Sequence, residues 1–428
     1  MTIGLGKCQF CQTESAPLTN WGARAEALLK DFAACSEAGP GVTRLPFTPE
    51  HRAAIDLLRS LMEAAGLTVD IDDAGTLVGR YEGPPGSKTL LMGSHLDSVR
   101  EGGAYDGMMG VVLPLLALEK LRSDAVSLPF SVELLAFADE EGVRFPTALV
   151  GSRALAGTFD PAVLSMQDTQ GITLRNAMKS FGLNPDRIDA LARGPADVIG
   201  FVETHIEQGP VLEREGESCG VVSAICGIER HQIVVTGETG HAGTLPMAGR
   251  RDALVSAAAI VAEVDRLGQS TPDLRATVGS FTVAPNMVNA VPRSVRMTAE
   301  FRSPCDETRH HAGKTLRRFT EKLAAQKNLT IEANLTYAQV AQPCDDKLSA
   351  HLCEAIQKAD ANGLYLSSGA THDASAMADL CPIAMLFVRC QDGVSHKPEE
   401  FTSAHDMGLA ISALAFFLRT LGSTSDHI

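Results

Sequence analysis

No run of apolar residues in this chain is long enough to cross a bilayer. The best, Val111 to Leu118, is short and carries Pro114, whereas a spanning helix needs about 20 residues. The N-terminus lacks a basic segment followed by an apolar one, so no secretory signal is read and the cytoplasm is the expected location. Positive charge is scarce: 37 Lys and Arg against 52 Asp and Glu give a formal net charge of −15. That balance excludes nucleic acid and an anionic membrane as main partners. An anionic small molecule stays open, because one local arginine outweighs the global field. Internal repeats and low-complexity runs are absent. Ten cysteines are scattered along the chain, and without an export signal they read as reduced thiols. Cys8 and Cys11 form a C-x-x-C pair, but no second pair at zinc-finger spacing accompanies it. Its flanks, Lys7, Gln9 and Gln12, read as a tail.

What is present is an ordinary globular composition, 45% hydrophobic and 21% charged, in 428 residues, which leaves room for two domains and a large core. Residues 1–18 are expected to be a loosely held arm. Trp21, Ala25, Leu28, Leu29 and Phe32 recur at helical spacing, and a second helix runs through Ala54, Leu57, Leu58, Leu61 and Met62 to Gly66. Residues 69–81 read as a hairpin. Thr89–Met92 and Val132–Phe137 read as strands separated by an apolar helix over 108–122, which indicates a sheet covered on both faces. Phe201–Pro210 is another strand ending in polar groups. From about Gly220 the texture changes: strands at 221–225 and 231–235, a helix at 253–267, strands near 276–283 and 294–301, and a helix near 308–325. This reads as a small α/β domain inserted into the first. The expected division is 19–217 and 336–428 for the outer domain and 218–335 for the insert. The chain closes with a helix from Leu409 to Leu421, with Ser403 a candidate cap.

The stretch Gly93-Ser94-His95-Leu96-Asp97 places an imidazole and a carboxylate two residues apart, on one side of an extended backbone. A glycine-rich loop then brings in Asp106. Asp139, Glu140 and Glu141 follow their strand as His95 and Asp97 follow theirs, at the strand ends where such sheets collect ligands. With His205 and His396 these residues form a mixed imidazole and carboxylate set, which suits Zn, Mn, Co or Ni better than Mg or Ca. A carboxylate can bridge two cations. One of two adjacent glutamates can then ligate while the other takes a proton. Asp97 is expected to hold the His95 tautomer.

Six segments together resemble the M20 metallopeptidase clan, in particular its amidase branch of hydantoinase/carbamoylase type. They are GSHLDSVREGGAYDG (93–107), ADEEGVRF (138–145), THIEQGP (204–210), GHAGTLPM (240–247), and SGATHDA (368–374) with GVSHKPEE (393–400). The branch includes N-carbamoyl-L-amino acid hydrolases, allantoate amidohydrolases and β-ureidopropionases. The resemblance implies an α/β fold: a di-metal exopeptidase-like catalytic domain, its mixed sheet between helices, with an inserted smaller α/β lid and dimerisation domain. It implies two divalent metal ions, one held by His95, Asp106 and His205, the other by Asp106, Glu141 and His396. Glu140 would be the general base. His241 would reach the partner subunit's site in a homodimer and stabilise the oxyanion. Asn289 and Arg302 would bind the α-carboxylate of a small ureido-acid substrate, with Gln208 at the same end and His372 as a further contact. Two departures from the pattern are Thr371, where a second glycine is usual, and Leu245, where a polar residue is common. The remaining His231, His310, His311, His351 and His405 read as ordinary histidines, and Arg293, Arg296 and Arg309 as solvated surface. The resemblance implies a dinuclear-metal amidohydrolase that cleaves the carbamoyl C–N bond of an N-carbamoyl-L-amino acid. Allantoate amidohydrolase or β-ureidopropionase is the nearest alternative, an N-acyl amino acid hydrolase or peptidase a more distant one, and a non-catalytic binding relative the most distant.

Overall fold

The computed structural model describes residues 18–421; the Cys8/Cys11 pair and almost all of the expected N-terminal arm lie outside the described residues. The chain divides into two units. The first runs to Val221 and takes in 346–364 and the segment from Ala376 onward; the second comprises 222–345 and 365–375.

The first unit opens with helices α1 (Leu18–Ala33) and α2 (Pro49–Ala64), then β1 (Thr68–Ile71), β2 (Leu77–Tyr81), β3 (Thr89–His95), α3 (Met108–Ser123) and β4 (Ser131–Phe137). The short helices α4 (Val150–Ala156) and α5 (Leu174–Ser180) lead to β5 (Val198–Ile206), α6 (Val211–Glu215) and β6 (Cys219–Ile225), within which the chain passes to the second unit. That unit holds β7 (Gly227–Thr236), α7 (Ala253–Ser270), β8 (Arg275–Thr277), β9 (Phe281–Ala284), β10 (Ser294–Ser303), α8 (Asp306–Lys327), β11 (Thr330–Gln339) and β12 (Gln342–Pro343). Then come α9 (Asp346–Lys358), β13 (Leu364–Ser368), α10 (Asp373–Met377), β14 (Ile383–Val388) and α11 (Ala404–Leu421).

The first unit's sheet is mixed, in the order β1-β2-β4-β3-β5-β14-β6. The four central strands β4, β3, β5 and β14 run parallel, and antiparallel strands flank them on both sides. Central strands are buried on both faces, as the unbroken burial of Ser131–Phe137 shows, and so read as apolar runs rather than alternations. Helix α3 is buried from Met108 to Leu118, all round its circumference. It shares one large core with the sheet and with α1, α2, α9 and α11. A smaller core gathers Phe47, Ala138, Phe145, Val150, Leu174 and Met178 around α4 and α5. Ser403 caps α11 as expected, its Oγ accepting from the Asp406 N–H at 3.1 Å.

In the second unit β11-β7-β10-β8 form an antiparallel sheet, with β9 also paired to β10. The stretch expected as one strand near 276–283 is two, β8 and β9, because residues 278–280 stand opposite only Thr298 and Ala299 of β10, which breaks the register between them. Alternate residues of β10 are buried against α7 and α8. Arg309 overturns its surface assignment. It is 1% exposed, and its guanidinium is held by Glu229, Asp306 and the Ile228 carbonyl. Its position on the α8 face that packs on the sheet demands a long side chain with buried acceptors, which helical periodicity alone does not reveal.

One buried histidine shows how the first unit depends on pH. His51 is fully buried near the start of α2; its Nδ1 accepts the Phe47 N–H at 3.0 Å and its ring stacks on Phe181. Burial, then the charges of Arg44 and Arg52, push its pKa down to about 3. The folded ring stays neutral while the unfolded chain protonates near 6.5, so stability is whole above pH 6.5 and is lost as pH falls toward 3. This group alone is expected to remove about 2 kcal/mol by pH 5. Denaturant unfolding at pH 7.5 and pH 5 should show that drop in the wild type and a smaller one in His51→Asn, which keeps an acceptor but does not titrate. Equal drops would contradict it.

Candidate metal centre

The four parallel strands deliver the site. His95 is the last residue of β3, Asp139–Glu141 follow β4, His205 stands one residue before the end of β5, and His396 lies in the loop after β14. Because these strands are neighbours and parallel, all four segments emerge at one edge of the sheet, where α/β folds leave room for a ligand. Asp106 arrives on the loop between β3 and α3.

Asp106 is the centre of the cluster. Its Oδ1 lies 3.4 Å from His95 Nε2 and 3.2 Å from His205 Nε2, and its Oδ2 lies 3.3 Å from His396 Nε2. Glu141 Oε1 is 3.9 Å from His396 Nε2, and Glu140 Oε2 is 4.0 Å from His95 Nε2. His95 Nδ1 sits 2.9 Å from the Asp97 carbonyl oxygen and His205 Nδ1 3.0 Å from that of Ile206. A carbonyl only accepts, so each Nδ1 keeps its proton and each Nε2 is the atom offered to the centre. Close approach on one side is made possible by Gly107, whose φ is +65°; a Cβ there would meet the His95 ring at 2.4 Å.

Asp97 differs from expectation in an instructive way. Its main-chain carbonyl, not its carboxylate, holds the His95 tautomer; the carboxylate is 3.8 Å from Nδ1. The carboxylate instead accepts the backbone N–H of Glu140 at 3.0 Å and of Glu141 at 3.1 Å, so it orients the glutamate pair.

The electrostatics follow from burial. Burial raises the Asp106 pKa, but hydrogen bonds from His205, His396 and His95 hold the carboxyl well below the usual range. Burial lowers that of His95, and the Asp106 hydrogen bond with the Glu140 and Asp97 charges brings it well above the ordinary value. Glu141 is pushed up to about 7 by burial and then by the Asp106 charge, and His396 up to about 8, first by its hydrogen bond to Asp106. Such shifts gather where function does.

The donor chemistry fits a divalent metal. His95, Asp106 and His205 bring one ligand atom each within 4.8 Å of one another, as do Asp106, Glu141 and His396, and also His95, Glu140 and Glu141. Glu141 Oε1 is buried without a hydrogen-bond donor, as a ligand oxygen would be.

Gln208, in the left-handed region at φ 56°, donates from Nε2 to Asp106 Oδ2 at 2.9 Å. The other expected substrate residues belong to the second unit. His241 and Asn289 are both exposed there, on loops joined by the bridge between His241 and Ala290 and by the Ala242 N–H on the Asn289 carbonyl. Arg302 donates from Nε to Glu300 and from Nη1 to the Gly369 carbonyl, both at 2.7 Å. His372 is buried, with its Nε2 2.6 Å from Ser368 Oγ.

Three residues at the centre carry no sequence expectation. Ser395 Oγ lies 3.2 Å from Asp106 Oδ2. Glu400 accepts the backbone N–H of Tyr105 and of Asp106. Arg44, 2% exposed, donates from Nε to the Leu96 carbonyl at 2.6 Å and from Nη1 to Phe32, so it pins the turn between His95 and Asp97. Ser395 and Glu400 flank His396 in a segment already singled out, which is a usable signal; Arg44 has none in the sequence.

Comparison with known proteins places the chain in a family. Residues 91–420 match Peptidase family M20/M25/M40. The chain belongs to this family. Within it, the chain is 39% identical over 375 residues to the N-carbamoyl-L-amino acid amidohydrolase of Geobacillus stearothermophilus, covering 87% of this chain and 92% of the relative. It is 35% identical over 428 residues to the allantoate deiminase of Arabidopsis thaliana, covering 92% and 82% respectively. The crystal structure of an amidase of the hydantoinase/carbamoylase family from Burkholderia multivorans superposes with a TM-score of 0.88 at 31% identity, over 93% of this chain and 97% of that one. This M20-family chain is a hydrolase of amide C–N bonds with a mixed α/β fold. Among the described residues, no helix is long and apolar enough to cross a membrane.

Asp97→Asn tests how the glutamate pair is held. Asparagine offers one acceptor where two backbone N–H groups now converge. Chemical denaturation should show a loss of about 1–3 kcal/mol, and calorimetric titration a roughly 10- to 100-fold weaker affinity for Mn2+. Wild-type affinity in this variant would mean that the peptide at Glu140 and Glu141 is fixed by other groups.

Proposed function

We propose that the protein hydrolyses the carbamoyl C–N bond of an N-carbamoyl-L-amino acid, giving the amino acid, CO2 and ammonia. The observation that carries this reading is the grouping of His95, His205, His396, Glu140 and Glu141 around one buried carboxylate, Asp106, in a chain 39% identical to an N-carbamoyl-L-amino acid amidohydrolase. Two divalent cations, Zn, Mn, Co or Ni, are held in this reading: one by His95, Asp106 and His205, the other by Asp106, Glu141 and His396. Bound there, such cations polarise the ureido carbonyl and acidify water.

The chain's own groups do the rest. Glu140 takes the proton of the attacking water on its carboxylate and passes it to the leaving nitrogen, its backbone held by Asp97. Arg302 has two of its donors engaged, and the remainder of its five N–H groups would offer a two-point fork to the α-carboxylate, which Asn289 would also bind. Gln208 exchanges its bond to Asp106 for the same end of the substrate, and His372 would be a further substrate contact. The segment 218–335 acts as lid and dimerisation domain, and His241 from the second subunit of a homodimer stabilises the oxyanion. The 35% identity to an allantoate deiminase supports one alternative, allantoate as substrate, with the same residues in the same roles.

Ammonia release from a panel of N-carbamoyl-L-amino acids, allantoate and N-acyl amino acids, after loading with Mn2+, Co2+ or Zn2+, decides between them. Turnover is expected on N-carbamoyl-L-amino acids; turnover on allantoate alone would shift the assignment, and none on any ureido acid would defeat it. Glu140→Gln is expected to lower kcat roughly 10²- to 10⁴-fold with metal content unchanged. Activity surviving that change would remove Glu140 as the base.

A further inference from the structure

Glu400 is 4% exposed and is not needed as a ligand. Its Oε1 accepts two consecutive backbone N–H groups, those of Tyr105 at 3.0 Å and of Asp106 at 2.9 Å. Its Oε2 lies 2.9 Å from Ser395 Oγ. The loop is shaped to admit it: a Cβ on Gly103 would meet Glu400 Oε1 at 2.2 Å, so only glycine fits there. The Tyr105 ring meets Phe401 edge to face, with centroids 6.0 Å apart, which fastens the same two segments from the apolar side.

The Ser395 hydroxyl is the pivot. Its oxygen is within hydrogen-bond distance of two carboxylates, Glu400 Oε2 at 2.9 Å and Asp106 Oδ2 at 3.2 Å, and it receives the Gln208 Nε2 donor at 3.2 Å. A hydroxyl has one proton and can donate to only one acceptor at a time. Asp106 Oδ2 is the oxygen facing His396, and a cation bound there competes with any proton donor for its lone pairs.

We propose that Glu400 is a positioning residue for Asp106: it clamps the backbone that carries the carboxylate and draws the Ser395 proton to itself, so that of the two side-chain donors reaching Asp106 Oδ2, Ser395 and Gln208, only the Gln208 amide is left for a cation to displace. This rests on Asp106 being a cation ligand. The segment carrying His396 thereby orients the ligand supplied by the distant loop before α3, and the two parts of the centre are set as one piece.

The test is Co2+ binding to the full-length protein stripped of metal, followed by calorimetry and by the visible spectrum of the Co2+ protein. In Glu400→Gln the carboxamide oxygen still meets the two backbone N–H groups, but its NH2 faces Ser395 Oγ. The hydroxyl then has only Asp106 Oδ2 to donate to. Affinity for Co2+ at the His396 side is expected to fall roughly 10- to 100-fold, with thermal unfolding of the variant still cooperative. Ser395→Ala combined with Glu400→Gln removes the competing proton and should restore at least half of that loss on a logarithmic scale. A merely structural clamp would not be rescued in this way. Wild-type affinity in Glu400→Gln, or a loss that Ser395→Ala leaves untouched, overturns the proposal. Should Glu400→Gln not fold, Ser395→Ala alone decides. Affinity equal to or above that of the wild type supports the proposal, and a tenfold loss overturns it, because Ser395 would then be a support for Asp106 rather than a competitor. A wild-type protein that takes up no Co2+ would overturn the metal reading itself, a result distinct from all of these.

Discussion

A carboxylate buried as deeply as Asp106 has to be answered by positive charge or by hydrogen-bond donors, because removing an ion from water costs several kcal/mol. Here the answer comes from three imidazoles, on three segments that are far apart in the chain. The sheet explains how they meet. Four parallel strands side by side bring four loops to one edge, and the rigid ladder between them fixes where those loops begin. The apolar run of α3, buried all round, packs behind the loop that carries Asp106 and holds its far end.

The backbone at the site is less relaxed than in the strands beneath it. Asp139 has φ 59°, His396 φ 59° and Gln208 φ 56°, all left-handed and none of them glycine. Such conformations cost of order 1–3 kcal/mol each and persist only where surrounding contacts impose them. The contacts are identifiable: the Asp97 carboxylate on the peptides after Asp139, the Gln208 amide on Asp106, and Ser395 and Glu400 on either side of His396. The strain therefore sits where side chains must leave the strand direction and turn toward Asp106. That is the place where a site gains from being fixed in advance.

Much of this was legible in the sequence. Three of the four buried parallel strands read as short apolar runs ending in polar groups, so His95, Glu141 and His205 stood out, with Asp106 on the glycine-rich loop after the first. His396 follows a strand that the sequence reading did not place and was read with the GVSHKPEE segment. The i and i+2 spacing of His95 and Asp97 located the turn correctly, but it could not say that the main-chain carbonyl would hold the imidazole while the carboxylate reached across to the next strand's loop. That choice depends on the distance between β3 and β4, which is a tertiary quantity. Arg309 and Arg44 were opaque for a related reason: a buried guanidinium is defined by the carbonyls and carboxylates folded around it, and no local pattern records them. Glu400 was visible as part of a motif but silent as to role, because its partners lie some 300 residues away.

In the function proposed above, Asp106 would be shared by two cations, with His95 and His205 on one side and His396 and Glu141 on the other. Anomalous diffraction from crystals of the Mn2+- or Co2+-loaded protein tests it directly. Two anomalous peaks flanking Asp106, each closest to a different oxygen of its carboxylate, are the predicted result. A single peak remote from Asp106, or two peaks of which only one touches it, would contradict the account.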